Sequence, residues 1–499
     1  MRTKTTITKS LVIITFMFGF SAVKAQFIQT AKVVSANRES RAEYGTSVAI
    51  LENFAIVGTS RETVASGAAY IYNKDSQGIW SYSQRLAAND PNEGAEFGGG
   101  VKFSDNYVVV AAGRADIGGA QRAGALYVYE YQNNNWDFNT KLTASDFTSE
   151  AKLGMNPTSL DVEANTIVGG APGENGWMGS VYVFTENAGA WSETQKILSP
   201  TPQTNDVFGI GVSISGDYLV VGANEVDGRK GAAYVYLKNS NGTWEYAQIL
   251  MASDAANDDF FGTSVSIAGD QMVIGAYGAN GEAGAAYIFE KDSQGVWEEV
   301  QKLMGNTSSE GTQFGWSTDI QKDYIIVSAP HIFGFEAGEV YFYKMESSGN
   351  WVEEQIIQGT DTLGEDFYGW SIAMNGNQMI AGAPWEDHDE NGNNEIDRAG
   401  SAYIFSDPNL LGGLADYNGN INEIRFYPNP SHNITTIESR SKTISVLNVY
   451  TISGALLQKM TDINKSNIVL DISNYSNGIY FINLILDDGS TVVQKIIKN

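Results

Sequence analysis

The chain has 499 residues, with 31 Lys and Arg against 58 Asp and Glu, no cysteine and 3 histidines. The lack of cysteine excludes disulfides, thiolate metal sites and cysteine nucleophiles, and so few histidines leave little for a zinc centre or a histidine-based triad. A formal charge of −27 argues against nucleic acid, whose phosphates need a basic face, and favours cations or cationic partners.

Residues 1–25 read as an export signal. Arg2, Lys4 and Lys9 precede an apolar run from Leu11 to Val23, and Val23-Lys24-Ala25 forms a small-residue cleavage site before Gln26. The apolar run is shorter than the ~20 residues that span a bilayer. No later segment comes closer, so a membrane-spanning chain is not expected.

From there the sequence repeats. An aromatic residue or Leu followed by Gly recurs at Tyr44-Gly45, Phe97-Gly98, Leu153-Gly154, Phe208-Gly209, Phe261-Gly262, Phe314-Gly315 and Tyr368-Gly369. The interval is about 54 residues, within the range that marks propellers and solenoids. Each copy continues with an apolar run ending in small residues, such as LVVGAN or MVIGAY, then Gly and a Tyr alternation such as GAAYVY. A Trp strand follows, at Trp80, Trp136, Trp191, Trp244, Trp297 and Trp351, usually leading into Gln-Lys-Leu.

Four short β-type runs per copy, separated by turn residues, predict an all-β seven-bladed β-propeller over residues 26–406. Small residues early in each unit suit the crowded axis, and Trp late in it suits the diverging rim. Six Trp strands serve seven inner strands. The missing one sits at the start, where Phe27-Ile28-Gln29-Thr30-Ala31-Lys32-Val33 aligns with Trp80 to Leu86 and puts Phe27 in the Trp slot. That strand is predicted to complete the last blade and remove its open edge.

These repeats resemble the FG-GAP family, which includes the propeller of integrin α-subunits, over residues 27 to about 406. The resemblance implies that the Phe-Gly strand is innermost, the small-residue strand second, the Tyr strand third and the Trp strand outermost. It also implies that the 2–3 and 4–1 loops share one face, the ligand face in integrins. Integrin relatives bind calcium through a D-x-D-x-D-G-x-x-D loop between the first two strands. Here that connection is a tight turn in every blade (LEN, SDN, EAN, SGD, AGD, QKD, NGN), so those calcium sites do not carry over.

One other loop has ligand spacing for Ca2+. In WEDHDENGNNEIDRAG of the seventh repeat, Asp387, Asp389, Asn391, Gly392 and Glu395 fit D-x-D-x-N-G-x-x-E, with Asp397 as a further donor. Calcium takes six to eight hard oxygens, which alternating acids around a turn glycine supply; a solvated acidic loop is the plainer reading. His388 in this loop is expected to face solvent. Trp316 and Trp370 follow Phe-Gly and Tyr-Gly in adjacent repeats, and Trp385, Phe333 and Phe335 lie in the same two repeats. They are candidate ligand-binding residues, because exposed aromatics stack on sugars or anchor a protein partner; a core role plugging the channel is the alternative for Trp316 and Trp370. Glu43, Glu96, Asp206, Asp259 and Asp366, just before the Phe-Gly element, suggest an acidic ring around the axis, with a solvated loop face as the plainer reading and cation-bridged ligand binding as the sharper one.

Residues 407–421 read as a linker of Gly, Asn and Asp. Residues 422–499 lose the acidic excess and alternate like a small β-sandwich. Tyr427-Pro428-Asn429-Pro430, Ser453-Gly454, Leu470-Asp471-Ile472-Ser473, Asn477-Gly478-Ile479-Tyr480 and the basic end at Lys495 to Lys498 resemble the C-terminal sorting domain of the type IX secretion system. That resemblance implies a Bacteroidetes-type bacterium, interaction with the type IX secretion machinery, and a secreted or outer-membrane-surface location. No Gly-x-Ser-x-Gly elbow, phosphate loop or paired-His motif appears, so no catalytic residue is assigned. The expected function is a non-enzymatic binding or adhesion protein for an extracellular glycan or protein. The alternatives are a secreted polysaccharide-degrading enzyme and a structural surface component without a discrete ligand.

Overall fold

The computed structural model describes residues 26–410 except 76, 105, 307–310, 333, 335, 408 and 409, and residues 424–498 except 428–432, 440–441, 452–455, 462, 477 and 488–490. The expected signal at 1–25 lies outside the described residues. The chain divides into two compact units, Met1–Leu410 and Leu411–Asn499.

The first unit is a ring of seven four-stranded antiparallel sheets, a β-propeller. Blade 1 runs Tyr44–Leu51, Phe54–Thr59, Ala68–Lys74 and Trp80–Leu86 from axis to rim, and the order of strands repeats around the ring. The seventh blade takes Ile372–Asn375, Gln378–Ala383 and Ser401–Ser406 from the end of the repeats and its outer strand, Ile28–Val33, from the beginning. Ile28 pairs with Ser406 and Val33 with Ala402, so the ring closes with first and last segments hydrogen-bonded.

The recurring residues explain the assembly. The Phe-Gly aromatic is fully buried in nearly every blade (Tyr44, Phe97, Phe208, Phe261, Phe314 and Tyr368, each 0% exposed). Its ring meets the third-strand Tyr edge-on, as in Phe97 against Tyr127 at 5.2 Å. The following Gly lies against the preceding blade's backbone: Gly98 has φ +92°, and a Cβ there would sit 2.2 Å from the Ala68 carbonyl oxygen. At the rim, Gln84, Gln195, Gln248 and Gln301 each accept the backbone N–H and donate to the carbonyl of the next blade's Trp (136, 244, 297 and 351). Gln355 does the same to Phe27, at 2.7 and 3.0 Å, so Phe27 occupies the Trp slot in its hydrogen bonds as well as its packing. Each such bond contributes about 0.5–1.5 kcal/mol net.

In blades 1 and 3 to 7 the first-to-second strand turns are two-residue hairpins, as in Glu163 paired with Thr166 and Ser215 with Tyr218. The second-to-third connections of blades 1, 3, 4 and 5 contain a short turn, Glu62–Ala65, Glu174–Trp177, Val226–Arg229 and Ala279–Glu282, with three consecutive positive-φ residues inside. Three of these use Gly at the second such position (Gly176, Gly228, Gly281), whereas blade 1 has Val64 at φ 57°. The inner strands line a central channel in which Lys102 Nζ lies 3.9 Å from Asp161. Asp319, from the far side, accepts the N–H groups of Met374 and Ile320 at 2.7 and 2.9 Å.

The second unit holds two antiparallel sheets. Ile424–Tyr427, Ile434–Ser439 and Asn467–Asp471 form one; Leu456–Met460, Ile444–Thr451, Gly478–Leu486 and Thr491–Lys498 form the other. Ile437, Leu447, Leu470, Ile482, Leu484 and Ile496 build their shared core.

Two predictions follow from this geometry. Left-handed backbone costs a non-glycine residue roughly 1–2 kcal/mol, while glycine gives back ~0.4–1 kcal/mol through the unfolded chain. Val64 is 70% exposed and loses no packing, so Val64→Gly is expected to stabilise the propeller by about 0.5–1 kcal/mol in urea denaturation; unchanged or lower stability refutes the strain. Burial pushes the Asp319 carboxyl up to about 6, against the pull of Lys102. An acid bound more tightly by its proton when folded contributes stability that is fully present below its unfolded pKa of ~4 and is lost as pH rises through the folded value. Asp319→Asn is therefore expected to gain on the parent between pH 4 and 7, and a pH-independent difference contradicts this.

Candidate functional site

The site begins with a backbone constraint. The residue before each Phe-Gly element is left-handed in all seven blades: Glu43, Glu96, Lys152, Val207, Phe260, Gln313 and Phe367 have φ between 56° and 60°. None is glycine, and bulky or branched residues resist this conformation most. The interlocking loops hold it in place. The N–H of Glu96 donates to Ala65 O at 3.0 Å, Val207 to Trp177 O at 2.8 Å and Phe260 to Arg229 O at 2.8 Å, each from a 4–1 loop to the preceding blade's 2–3 loop. The 2–3 and 4–1 loops thus form one face, at which this ring of residues lies, with Lys152, Val207, Gln313 and Phe367 buried in it.

Across blades 5 to 7 six aromatic rings touch in sequence, Phe260 and Phe367 at this left-handed position and the others beside it, while blade 6 has Gln313 there. Phe260 stacks on Tyr277 with centroids 4.8 Å apart and planes at 9°. Tyr277 meets Trp316 at 5.2 Å, Trp316 meets Trp370 at 4.8 Å, Trp370 meets Phe367 at 6.0 Å, and Phe367 meets Trp385 at 4.2 Å. Arginines cap both ends: the Arg229 guanidinium lies 5.7 Å from the Phe260 ring and that of Arg398 lies 3.5 Å from Trp385. Trp316, Trp370, Trp385, Tyr277 and Phe260 are partly exposed while Phe367 is buried beneath them. The sequence reading singled out the three Trp; the structure brings them together and adds Phe260, Tyr277 and Phe367, which bridge them. Phe260 and Phe367 were readable as the only aromatics at the position before Phe-Gly. Phe333 and Phe335 lie outside the described residues.

This ladder divides two cavities. One, of about 850 Å³, is a groove in blades 5 and 6 between Asn257, Asp258, Asn280 and Gln313. The other, of about 400 Å³, is an axial funnel bounded on one side by Tyr277, Trp316 and Trp370 and on the other by Glu43, Arg61, Glu96 and Arg114. Arg61 pairs with Glu43 at 3.1 Å and Arg114 with Glu96 at 3.2 Å. Burial raises the Glu43 carboxyl above its usual range, against the pull of Arg61. Beneath the groove a strut fixes the loop: Asp254 accepts from Tyr287 Oη at 2.8 Å and from Lys302 Nζ at 2.7 Å, and Lys302 holds its carboxyl below the ordinary range. The same Asp-Tyr-Lys strut recurs as Asp90-Tyr127-Lys141, Asp146-Tyr182-Lys196 and Asp361-Tyr403-Lys32.

Two expectations need correction. The acidic ring splits in two, because its members are not in register. Asp206, Asp259 and Asp366 sit one residue earlier than Glu43 and Glu96, are buried, and turn back to accept the N–H of Gln203, Ala256 and Leu363 at 2.6–2.7 Å. Only Glu43 and Glu96 reach the funnel. In the Asp387–Asp397 loop the carboxylates are engaged by protein donors and do not converge. Asp387 accepts the Arg398 N–H at 2.6 Å, Asp389 accepts Asn391 and Asn393 at 2.9 Å and the Asn394 amide, and Asp397 pairs with Arg41 at 2.9 Å. Asn391 and Glu395 are exposed. Among the described residues no group of three or more His, Cys, Asp or Glu is placed to hold a metal. The loop in this arrangement does not fit calcium, which needs six or more converging oxygens. His388 is one-third exposed, with Nδ1 3.1 Å from Glu386.

Comparison with known proteins agrees with the repeat pattern. Residues 27–72, 80–129, 191–236, 244–289, 297–343 and 351–405 match the FG-GAP repeat, each match beginning at an outer strand. The inner part of blade 3, where Leu153 replaces the aromatic, is unmatched. Residues 425–499 match the secretion system C-terminal sorting domain. Integrin alpha-6 of Gallus gallus is 27% identical over 286 residues, 49% of this chain and 26% of that protein, so the chain spans about a quarter of this curated relative's length. A solved protein from Lactobacillus plantarum aligns with a TM-score of 0.43 at 10% identity, covering 84% of this chain and 100% of the other. Among the described residues no helix is long and apolar enough to cross a membrane. The chain belongs to the FG-GAP repeat family, as a seven-bladed propeller followed by a type IX sorting domain that directs it to the cell surface or the extracellular space.

Proposed function

We propose that this is a non-enzymatic binding protein that holds an extracellular glycan along the aromatic ladder of its propeller. The observation that carries the reading is the continuous row Phe260, Tyr277, Trp316, Trp370, Phe367 and Trp385, five of whose six rings are partly exposed on one loop face. Such a row is costly to leave wet. Sugar rings have apolar faces that stack on aromatics and hydroxyl edges that meet carboxamides and carboxylates, and both kinds of group border the groove. The sorting domain supports display outside the cell, where glycans are abundant.

The test is an array of glycans and extracellular-matrix proteins probed with the mature chain and with Trp316→Ala/Trp370→Ala. Removing two central anchors is expected to weaken glycan binding by between about thirtyfold and a thousandfold, since one such anchor is worth about 2 kcal/mol and two together up to about 4 kcal/mol, without loss of the folded signal. A protein ligand with no glycan bound overturns the glycan assignment. Release of reducing ends from a bound polysaccharide identifies an enzyme instead.

A further inference from the structure

The axial funnel has features that a passive opening lacks. Asn224 is 8% exposed at its wall and donates its side-chain nitrogen to Thr263 Oγ1 at 2.9 Å, leaving the carboxamide oxygen without a partner. Arg114 offers a second unsatisfied group, its Nε, beside the Glu96 pair. Across the ladder, Gln313 is 1% exposed at the groove wall, and its carboxamide oxygen is also unpartnered. Buried polar atoms left in this state cost ~1–3 kcal/mol each, and here they border the two cavities that share Tyr277, Trp316 and Trp370. A ligand that spans the ladder meets all three once these side chains, which line the cavities, turn their sealed atoms into them.

Resting on the glycan reading above, the geometry points to the funnel as an end-binding subsite: it takes the terminal pyranose of a neutral glycan, with one ring face on Trp316 and Trp370 and the hydroxyls on Asn224, Arg114 and Glu96. The rest of the chain crosses the ladder into the blade-5 groove, toward Gln313. Three observations set these terms. The funnel's charges are two Glu and two Arg, each Arg already paired with a Glu, on a chain of formal charge −27; a polyanion meets no free cation there. Paired carboxylate and guanidinium groups present acceptors and donors side by side, the complement of adjacent hydroxyls. The wall is drawn from every blade, including Thr46, Gly99, Met155, Ile210 and Thr263 as well as the two Trp. Deeper in the bore, Lys102, Asp161 and Asp319 crowd the axis. A strand of sugar therefore enters by one end and does not thread through.

The experiment is calorimetric titration of the mature full-length chain with neutral hexasaccharides of the glucan, xylan and mannan types, free or blocked by a bulky group at either terminus, and with a uronic-acid hexasaccharide. The variants are Asn224→Ala and Glu96→Gln, with Trp316→Ala/Trp370→Ala as the ladder control, each checked by its melting temperature. At least one free hexasaccharide is expected to bind. A block at one terminus, but not the other, is expected to weaken it at least tenfold, and so is each variant. Glu96→Gln preserves shape and covers the case in which Asn224→Ala fails to fold. Hexasaccharide binding that tolerates blocks at both termini and both variants, while still requiring Trp316 and Trp370, overturns the end-binding subsite and leaves the ladder reading intact. Exclusive binding of acidic oligosaccharides overturns the neutral class, and no binding of any glycan overturns both.

Discussion

Everything on the loop face depends on one backbone pairing, that of Ile28–Val33 with Ser401–Ser406. A β-propeller blade is a sheet with two edges, and only ring closure gives the inner strands a common axis. Without the N-terminal strand the seventh blade exposes a row of unpaired backbone groups. Lys32 then loses its place between Asp361 and Glu386, at 2.7 and 3.0 Å. Those acids anchor the two seventh-blade loops that carry Phe367 and Trp385. The closing strand is thus a rim element with direct consequences at the ligand face.

The physical logic runs outward from sterics. Phe-Gly and the small-residue strand let blades approach at the axis, and the Trp strand with its Gln clamp ties them at the rim. Between these two belts the chain has freedom only in the loops, and even there the 4–1 and 2–3 segments lock each other through backbone hydrogen bonds. The lock forces a left-handed residue to the same place in every blade and leaves its identity free. Blades 1 and 2 use that place for Glu, while blades 5 and 7 use it for Phe. One geometric constraint, repeated around a ring, thereby sets two Glu on the charged wall of the funnel and two Phe in the ladder whose Tyr277, Trp316 and Trp370 form the opposite wall.

Much of this was legible in the sequence, for identifiable reasons. Repetition with a fixed phase exposes blade number, strand order and the Phe27 closure, because each depends on local pattern and on counting. The Gln of Gln-Lys-Leu was visible as a repeated letter, but its bond to the neighbouring Trp backbone joins residues about fifty positions apart and needs the ring. The acidic ring failed because a one-residue offset between Glu43 and Asp206 decides whether a carboxylate faces the axis or caps its own loop. The Asp387–Asp397 loop carried ligand spacing, yet Arg41, Arg38 and Arg398 compete for its oxygens, and two of these three come from a distant stretch of chain. The ladder was half visible, since Trp316, Trp370 and Trp385 stand out while Tyr277 links them only in space.

The most direct measurement is to delete residues 26–33 from the mature chain and record thermal unfolding and glycan binding on the same samples. Loss of the closing strand is expected to lower the melting temperature and to remove binding together, because Phe27, Val33 and Lys32 leave buried sites that include the supports of Trp385 and Phe367. An unchanged melting transition, or full binding by the truncated chain, would show that the ring does not depend on its closing strand and that the face is held by other means.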